Sequence, residues 1–374
     1  MKIELTERQQ ADQSAFQAFA RAEVLPHADE YDRRGSLPPE QIRKVAAAGY
    51  LGLILPEAYG GGGRDMITYG LLNEEIGRAC SSLRSLLTVH GMVAQAVLRW
   101  GSKEQKANWL PRLAAGEVIG AFALSEPGAG SDMQGIETTA TRRGDSYVLN
   151  GRKRWITFGQ LADVYLVFAQ AEGRPCAFLL ERDSPGLRVE PIEGMLGTRA
   201  SMLAELHLDG CHVPQSNLLG RPGFGLSYVA SSALDQGRYS VAWGCVGIAR
   251  ACLEDSLRYA DEREQFGARL RDHQLVQEML TNMIANLSAA RLLCYHAGYL
   301  KDAGDPSAFV ETFVSKYFAS TAASKAASDA VQIHGANGCS TRFSVERYFR
   351  DSKVMEIIEG STQIQQITIA RSAH

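Results

Sequence analysis

Ser146-Tyr147-Val148-Leu149-Asn150-Gly151-Arg152-Lys153-Arg154-Trp155-Ile156-Thr157 decides how this chain divides. Asn150-Gly151 stands between two β-like runs. Both central residues of a two-residue turn need positive φ, which Asn and Gly tolerate, so the pair predicts a hairpin. Five more β-like runs surround it, at residues 119–124, 138–142, 164–170, 176–180 and 204–208. Six short strands with tight turns predict a β-barrel or sandwich domain over residues 119–216.

The pattern on either side is helical. In residues 1–118, Thr6 and Gln9 fit a capping box ahead of a helix carrying Phe16, Phe19 and Val24. Pro39 and Gly49 bracket a helix over 40–48, and helical spacing continues over 67–78, 86–100 and 103–115. Gly60-Gly61-Gly62-Gly63 lacks the Lys-Ser/Thr of a phosphate loop and reads as a flexible turn between helices. In residues 217–374, long 3.6-period stretches over 226–262, 273–303 and 306–334 predict a helical bundle. Helices, then strands, then helices make a segregated α+β chain. No G-x-G-x-x-G follows a strand, so a Rossmann dinucleotide site is not expected.

A length of 374 residues suits two or three domains. The net charge of −3, with dispersed Lys and Arg, gives no footing for nucleic acid. No apolar run reaches the ~18 residues of a membrane helix, and the first seven residues show no apolar leader core. Cys80, Cys176, Cys211, Cys245, Cys252, Cys294 and Cys339 include no C-x-x-C pair. They read as reduced thiols in a cytoplasmic protein, with no metal site.

Chemistry concentrates in three places. Asp351 to Gln363 carries Glu359 at the end of an apolar segment, after Ile357 and Ile358. Gly360 breaks the helical pattern and Ser361 caps a following helix striped with Ile364, Ile367 and Ala370. A turn there aims Glu359 into a cavity, where apolar neighbours raise its pKa and make it a base near neutral pH. The same letters also spell a solvated glutamate at a helix end. Phe122 to Asp132 joins a strand to a loop of small residues, either a plain turn or a set of N–H and hydroxyl donors for a planar or phosphorylated ligand. Trp155-Ile156-Thr157 reads as a core Trp with a strand-end Thr, or as a wall for a flavin ring.

Six stretches together resemble the acyl-CoA dehydrogenase family of flavoproteins, in the family's order. They are residues 123–132, 150–157, 234–238, 263–267, 332–338 and 359–365. The resemblance implies an N-terminal helical domain, a β-barrel-like middle domain, a C-terminal four-helix bundle, and noncovalent FAD. By position it implies that Phe122, Leu124, Ser125, Ser131, Trp155 and Thr157 hold the isoalloxazine and ribityl-phosphate end. Arg263, Phe266, Gln274, Gln332 and Gly335 would meet the rest of the FAD across a subunit boundary, in a homodimer or homotetramer. Ser361 and Gln363 would touch the cofactor. Asp235 and Arg238 would bind the pantetheine arm, and Glu359 would be the catalytic base. Some relatives place the base just before that arginine; here the position is Gly237, which cannot serve. Phe158, His334, Ala336 and Cys339 depart from the usual residues at their positions. The implied reaction removes an α-proton to Glu359 and a β-hydride to flavin, with the carbonyl polarised by the Glu359 or Gly360 N–H.

Arg84 and Thr88 lie four apart on one helix face, and an Arg fork suits a carboxylate. An exposed helical Arg is the plainer reading. The pair resembles the glutaryl-CoA dehydrogenase branch, where it receives the substrate's distal carboxylate. Residues 80–85, 240–247, 272–276 and 355–360 resemble the acyl-carrier-protein branch that makes hydroxymalonyl and methoxymalonyl extender units for polyketide antibiotics. There, loss of hydride from an aldehyde hydrate would give a malonyl carboxylate directly. A short polar acyl thioester on carrier protein is therefore expected, with a small dicarboxylic or branched acyl-CoA as the alternative. The electron acceptor would be a flavoprotein or oxygen. A flavin-binding protein without turnover, or nitroalkane-oxidase-like chemistry, is a further class; the latter branch resembles an Asp at the base position.

Overall fold

The computed structural model describes residues 4–373. The first three residues, part of the stretch read as leaderless, lie outside it. Six helices come first: α1 (Glu7–Phe19), α2 (Ala28–Arg34), α3 (Pro39–Ala47), α4 (Met66–Ala79), α5 (Ser81–Trp100) and α6 (Lys103–Ala115). The expected capping box opens α1: Thr6 Oγ1 accepts from the Gln9 N–H at 3.2 Å, and Gln9 Oε1 accepts from the Thr6 N–H at 2.9 Å. The four-glycine stretch is not a flexible turn. Gly62, Gly63 and Arg64 donate their N–H groups to Gly52, Leu55 and Leu53 at 2.9 to 3.0 Å. A Cβ on Gly61 would lie 2.2 Å from the Leu55 carbonyl, so two backbone strands touch here.

Eight strands follow: β1 (Gly120–Ala123), β2 (Thr139–Arg143), β3 (Ser146–Ile156), β4 (Val164–Ala171), β5 (Arg174–Glu181), β6 (Leu187–Pro191), β7 (Ala204–Pro214) and β8 (Leu218–Leu219). Their order is β6-β7-β3-β2-β4-β5-β8, with β1 parallel to β4. A single register pair, Thr139 with Gln170, joins the two halves. The inner faces meet through Leu149, Leu206 and Cys211 on one side and Tyr165, Val167 and Phe178 on the other. The outer face of β4, Val164, Leu166 and Phe168, packs on Val93 and Val97 of α5 and Leu110 of α6. Burial on both faces accounts for the unbroken apolar run along β4.

The Asn150-Gly151 hairpin is not formed. β3 runs straight through the pair, with β2 on one side and β7 on the other, and the register shifts between Leu149 and Gly151. The pair makes a bulge instead. Gly151 has φ +149°, and a Cβ there would meet Thr138 at 2.6 to 2.9 Å. Asn150 Oδ1 accepts from the Gly210 N–H at 2.9 Å, which a turn residue facing water would not do. The actual turn sits at Gly144 (φ +59°), where Arg143 pairs with Ser146.

The last part is helical: α7 (Ser231–Glu262), α8 (Gln274–Asp302), α9 (Ala308–His334), α10 (Val345–Met355) and α11 (Thr362–Ser372). The three long helices pack together, and α10 and α11 lie against α9. The middle of α7 is buried without a break from Gln236 to Ala249, because α4, α5, α8 and α9 surround it. Among the described residues no helix is long and apolar enough to cross a membrane.

Candidate active site

A cavity of about 540 Å³ opens where the β1 loop, the end of β3, α5, α7 and the α10–α11 turn converge. Phe122, Leu124, Ser125, Ser131, Trp155, Thr157, Arg84, Thr88, Arg238, Glu359, Gly360 and Ser361 all line it. A larger open groove of about 980 Å³, between residues 99–109 and 215–224, holds none of the expected site residues.

Glu359 enters the cavity from a strained turn. After α10 ends, the Ile357 and Ile358 N–H groups both return to the Val354 carbonyl, at 3.0 and 3.1 Å. Glu359 then takes φ +55° and Gly360 φ +95°. A non-glycine residue in the left-handed region costs roughly 1 kcal/mol or more and persists only when its surroundings hold it. They do so here. The Glu359 carbonyl accepts from Arg238 Nε at 3.0 Å and Gln365 Nε2 at 3.1 Å. The Gly360 carbonyl accepts from Lys316 Nζ at 2.8 Å and Gln365 Nε2 at 2.9 Å. Ser361 caps α11 as expected, through the Ile364 N–H at 3.5 Å.

Glu359 is half-buried; its Oε2 is hidden from solvent and has no hydrogen-bond partner among the described residues. Burial pushes its pKa up to about 7, against the pull of Arg238, Lys316 and Arg84. Burial likewise pushes the Lys316 ammonium down to about 8. Gly237 makes the room: a Cβ on it would lie 2.7 Å from Glu359 Oε2 and 2.8 Å from Met92 Sδ. Trp155, Phe158, Thr198, Met202 and Glu359, five of the non-glycine residues with positive φ, lie in or beside the cavity wall. Thr198 is fixed by its N–H, which donates to Asp351 Oδ1 of α10 at 2.5 Å.

The small-residue loop is pinned from below by a buried ion pair. Lys153 Nζ donates to Glu126 Oε1 at 2.6 Å and to the Leu124 carbonyl at 3.1 Å. Glu126 also accepts from the Glu137 and Thr138 N–H groups and from Thr138 Oγ1, at 2.5 to 3.1 Å. Burial pushes the Lys153 ammonium down to about 8, while Lys153 and the Thr138 hydroxyl outweigh burial at Glu126 and hold it below the usual range. Contact at hydrogen-bond distance, hidden from water, is the geometry of an ion pair. Above it, Ser125, Gly130 and Ser131 form one wall, and an added Cβ at Gly128 or Gly130 would meet nothing within 4 Å. Trp155, 47% exposed, and Thr157 line the same cavity. Small donors together with an indole suit a flat, hydrogen-bonding ring system such as FAD's.

Arg84 closes the far side. It is 1% exposed, and its partners are Thr88 Oγ1 at 2.6 Å, Ser85 Oγ at 3.2 Å and Met355 Sδ at 3.3 Å. None is anionic, Nε is unpaired, and burial pushes its pKa down. A Cβ on Gly244 would meet Arg84 Cδ at 2.6 Å, so α7 yields space for the guanidinium stem.

Other expected residues stay apart from the cavity. Asp235 is ion-paired to Lys301. Leu234 and Arg238, four apart, line the cavity, and Asp235 lies one residue, about 100°, around α7 towards α8. Gln363 is exposed on the first turn of α11. Arg263 and Phe266 lie at a small ribbon, Glu264–Gln265 with Ala268–Arg269, and Gln274 begins α8. Phe266 is 99% exposed. Gln332 and Gly335 sit at the end of α9. A single chain brings none of these five to the cavity. Lys316, Gln365, Ser240 and Asn73 were not anticipated; the available signal was Lys316 on the same α9 face as Thr312, Ala319 and Ala323, all buried.

Comparison with known proteins places the whole chain. Models of the acyl-CoA dehydrogenase N-terminal, middle and C-terminal domains match residues 6–117, 121–211 and 223–374. A probable acyl-CoA dehydrogenase, YngJ, of Bacillus subtilis is 40% identical over 378 residues, 99% of each chain. A glutaryl-CoA dehydrogenase of Desulfococcus multivorans is 37% identical over 380 residues, covering 99% of this chain and 97% of its own. Among solved structures, a glutaryl-CoA dehydrogenase bound to glutaryl-CoA superposes with a TM-score of 0.96 at 36% identity, over 100% and 96% of the two chains. A Mycobacterium smegmatis glutaryl-CoA dehydrogenase in complex with FADH2 gives 0.94 at 33%, over 99% and 95%. FkbI, of methoxymalonyl extender-unit biosynthesis, gives 0.89 at 34%, over 97% and 99%.

Proposed function

Because this chain belongs to the acyl-CoA dehydrogenase family of FAD-dependent oxidoreductases, we propose that it dehydrogenates a short acyl thioester whose acyl chain ends in a carboxylate. One observation carries this reading: Arg84 is a buried cation at the cavity wall with no anionic partner among the described residues, in the same cavity as Glu359. A buried guanidinium without a counter-ion is costly, and a carboxylate entering the cavity would relieve that cost.

Glu359 is the base. Its raised pKa leaves it substantially ionised at neutral pH and basic enough to take the α-proton. The Glu359 or Gly360 N–H polarises the thioester carbonyl and acidifies that proton. Arg238, Lys316 and Gln365 hold the turn through the two carbonyls, so the carboxylate and the N–H groups keep fixed positions. Arg84 holds the distal carboxylate, with Thr88 bracing the guanidinium, and sets the depth of the acyl chain. Phe122, Leu124, Ser125, Ser131, Trp155, Thr157 and Ser361 hold FAD, which supplies the acceptor for the β-hydride. Arg263, Phe266, Gln274, Gln332 and Gly335 would reach the cofactor of a second copy. An electron-transferring flavoprotein or oxygen would reoxidise it.

Likeness to three glutaryl-CoA dehydrogenases supports coenzyme A as the carrier. A second reading, the same acyl group on an acyl carrier protein in extender-unit biosynthesis, is supported by the likeness to FkbI. Presenting one dicarboxylic acyl group on both carriers separates them, since a clear preference for coenzyme A removes the carrier-protein reading. Arg84→Ala tests the carboxylate itself. Losing a buried charge-assisted contact should lower kcat/KM for the carboxylated thioester on the order of a hundredfold, with FAD retained. Unchanged kinetics would end the proposal.

A further inference from the structure

Behind Arg84 and Thr88 lie two further buried side chains, Ser240 and Asn73. Thr88 Oγ1 is 2.6 Å from Ser240 Oγ, and the Ser240 hydroxyl donates to Asn73 Oδ1 at 2.6 Å. Asn73 Nδ2 donates to the Tyr69 carbonyl at 2.8 Å. Asn73 and Ser240 are 0% exposed and Thr88 is 3%. The hydrogen-bonded chain links α4, α7 and α5.

Its direction follows from counting protons. The Nδ2 bond to Tyr69 fixes the Asn73 amide, so its oxygen, which only accepts, faces Ser240. Ser240 thereby spends its one proton on Asn73. At the Thr88–Ser240 contact, Thr88 must donate. A Thr88 lone pair is then left facing Arg84 Nη1 at 2.6 Å. Every hydrogen bond points the same way, from Arg84 towards α4, and in a dry interior such bonds reinforce one another.

We infer that Ser240 and Asn73 are positioning residues that set specificity for carboxylated acyl groups, by orienting Thr88 and through it the Arg84 guanidinium. This rests on the reading that Arg84 receives a carboxylate. With Ser240 removed, the Thr88 hydroxyl turns back to its other acceptor, the Arg84 carbonyl at 3.2 Å. Its lone pair then swings off Nη1, and the guanidinium loses its fixed plane.

The test compares glutaryl-CoA with pentanoyl-CoA, equal in chain length and different at the carboxylate, on FAD-loaded wild type, Ser240→Ala, Asn73→Asp and Arg84→Ala. Ser240→Ala should raise KM for glutaryl-CoA about five- to tenfold, the weight of one buried hydrogen bond, with kcat changed less than about twofold. Asn73→Asp, nearly the same shape, adds a negative charge to the chain and should raise the same KM selectively. Pentanoyl-CoA, with nothing for Arg84 to hold, should keep its KM in both. A packing defect would instead move both substrates. Equal effects on the two thioesters in Ser240→Ala and Asn73→Asp, or no effect on either, overturn the inference if Arg84→Ala still discriminates. If Arg84→Ala fails to discriminate, the carboxylate reading falls and this inference with it.

Discussion

Replacing Glu359 by Gln should abolish turnover and, at the same time, make the protein less sensitive to alkaline pH. The carboxyl is buried with its pKa raised from 4.5 to about 7, chiefly by desolvation. Folding therefore favours the protonated form. Between these two values the folded chain binds more protons than the unfolded one, so stability falls as pH rises through the window. Linkage over that shift gives roughly 1 kcal/mol of destabilisation at pH 5 and roughly 3 kcal/mol at pH 8. Glu359→Gln removes the titration while leaving an equally buried polar group. The stability difference between variant and wild type should thus grow by roughly 2 kcal/mol in the variant's favour from pH 5 to pH 8. Thermal unfolding of both FAD-loaded proteins at the two pH values reads this as a widening gap in Tm. The kcat of the variant should fall on the order of a thousandfold, the weight of a general base, and wild-type kcat/KM should rise with pH through about 7. A gap that stays constant between pH 5 and pH 8 would refute the desolvated-base reasoning.

Other outcomes follow from the same geometry. Gly237→Ala places a Cβ 2.7 Å from Glu359 Oε2. It should lower kcat at least about tenfold by displacing the carboxylate, with unchanged flavin content by absorbance. Lys153→Met leaves Glu126 charged and unpaired under the small-residue loop; it should lose about 3–5 kcal/mol of stability and retain little FAD through purification. Adding Glu126→Gln should recover part of both, measured as Tm and the flavin-to-protein ratio.

The parts of the site legible in the sequence were those encoded by neighbours along the chain. Arg84 and Thr88 are one helical turn apart, and the structure joins them at 2.6 Å. The break around Glu359 could be read because Gly360 and the Ser361 cap lie beside it. What holds that break could not. Arg238, Lys316 and Gln365 come from α7, α9 and α11, and nothing local marks them as partners of two carbonyls. The Ser240–Asn73 link spans 167 residues and is equally silent. Asn150-Gly151 misled because the same tolerance of positive φ serves a bulge as well as a turn, and only the flanking β2 and β7 decide between them. The partner of Asp235 was equally silent: one residue from the cavity-lining Leu234, it pairs with Lys301 of α8.

In the proposed reaction Glu359 and bound FAD act on one thioester held between them, with Arg84 at its far end. Anaerobic titration of the purified holoenzyme with glutaryl-CoA, following the oxidised-flavin absorbance, tests this arrangement most directly. Bleaching is expected in the wild type, none in Glu359→Gln, and a much weaker titration in Arg84→Ala. A protein that purifies without flavin, or a Glu359→Gln variant that bleaches like the wild type, would contradict it.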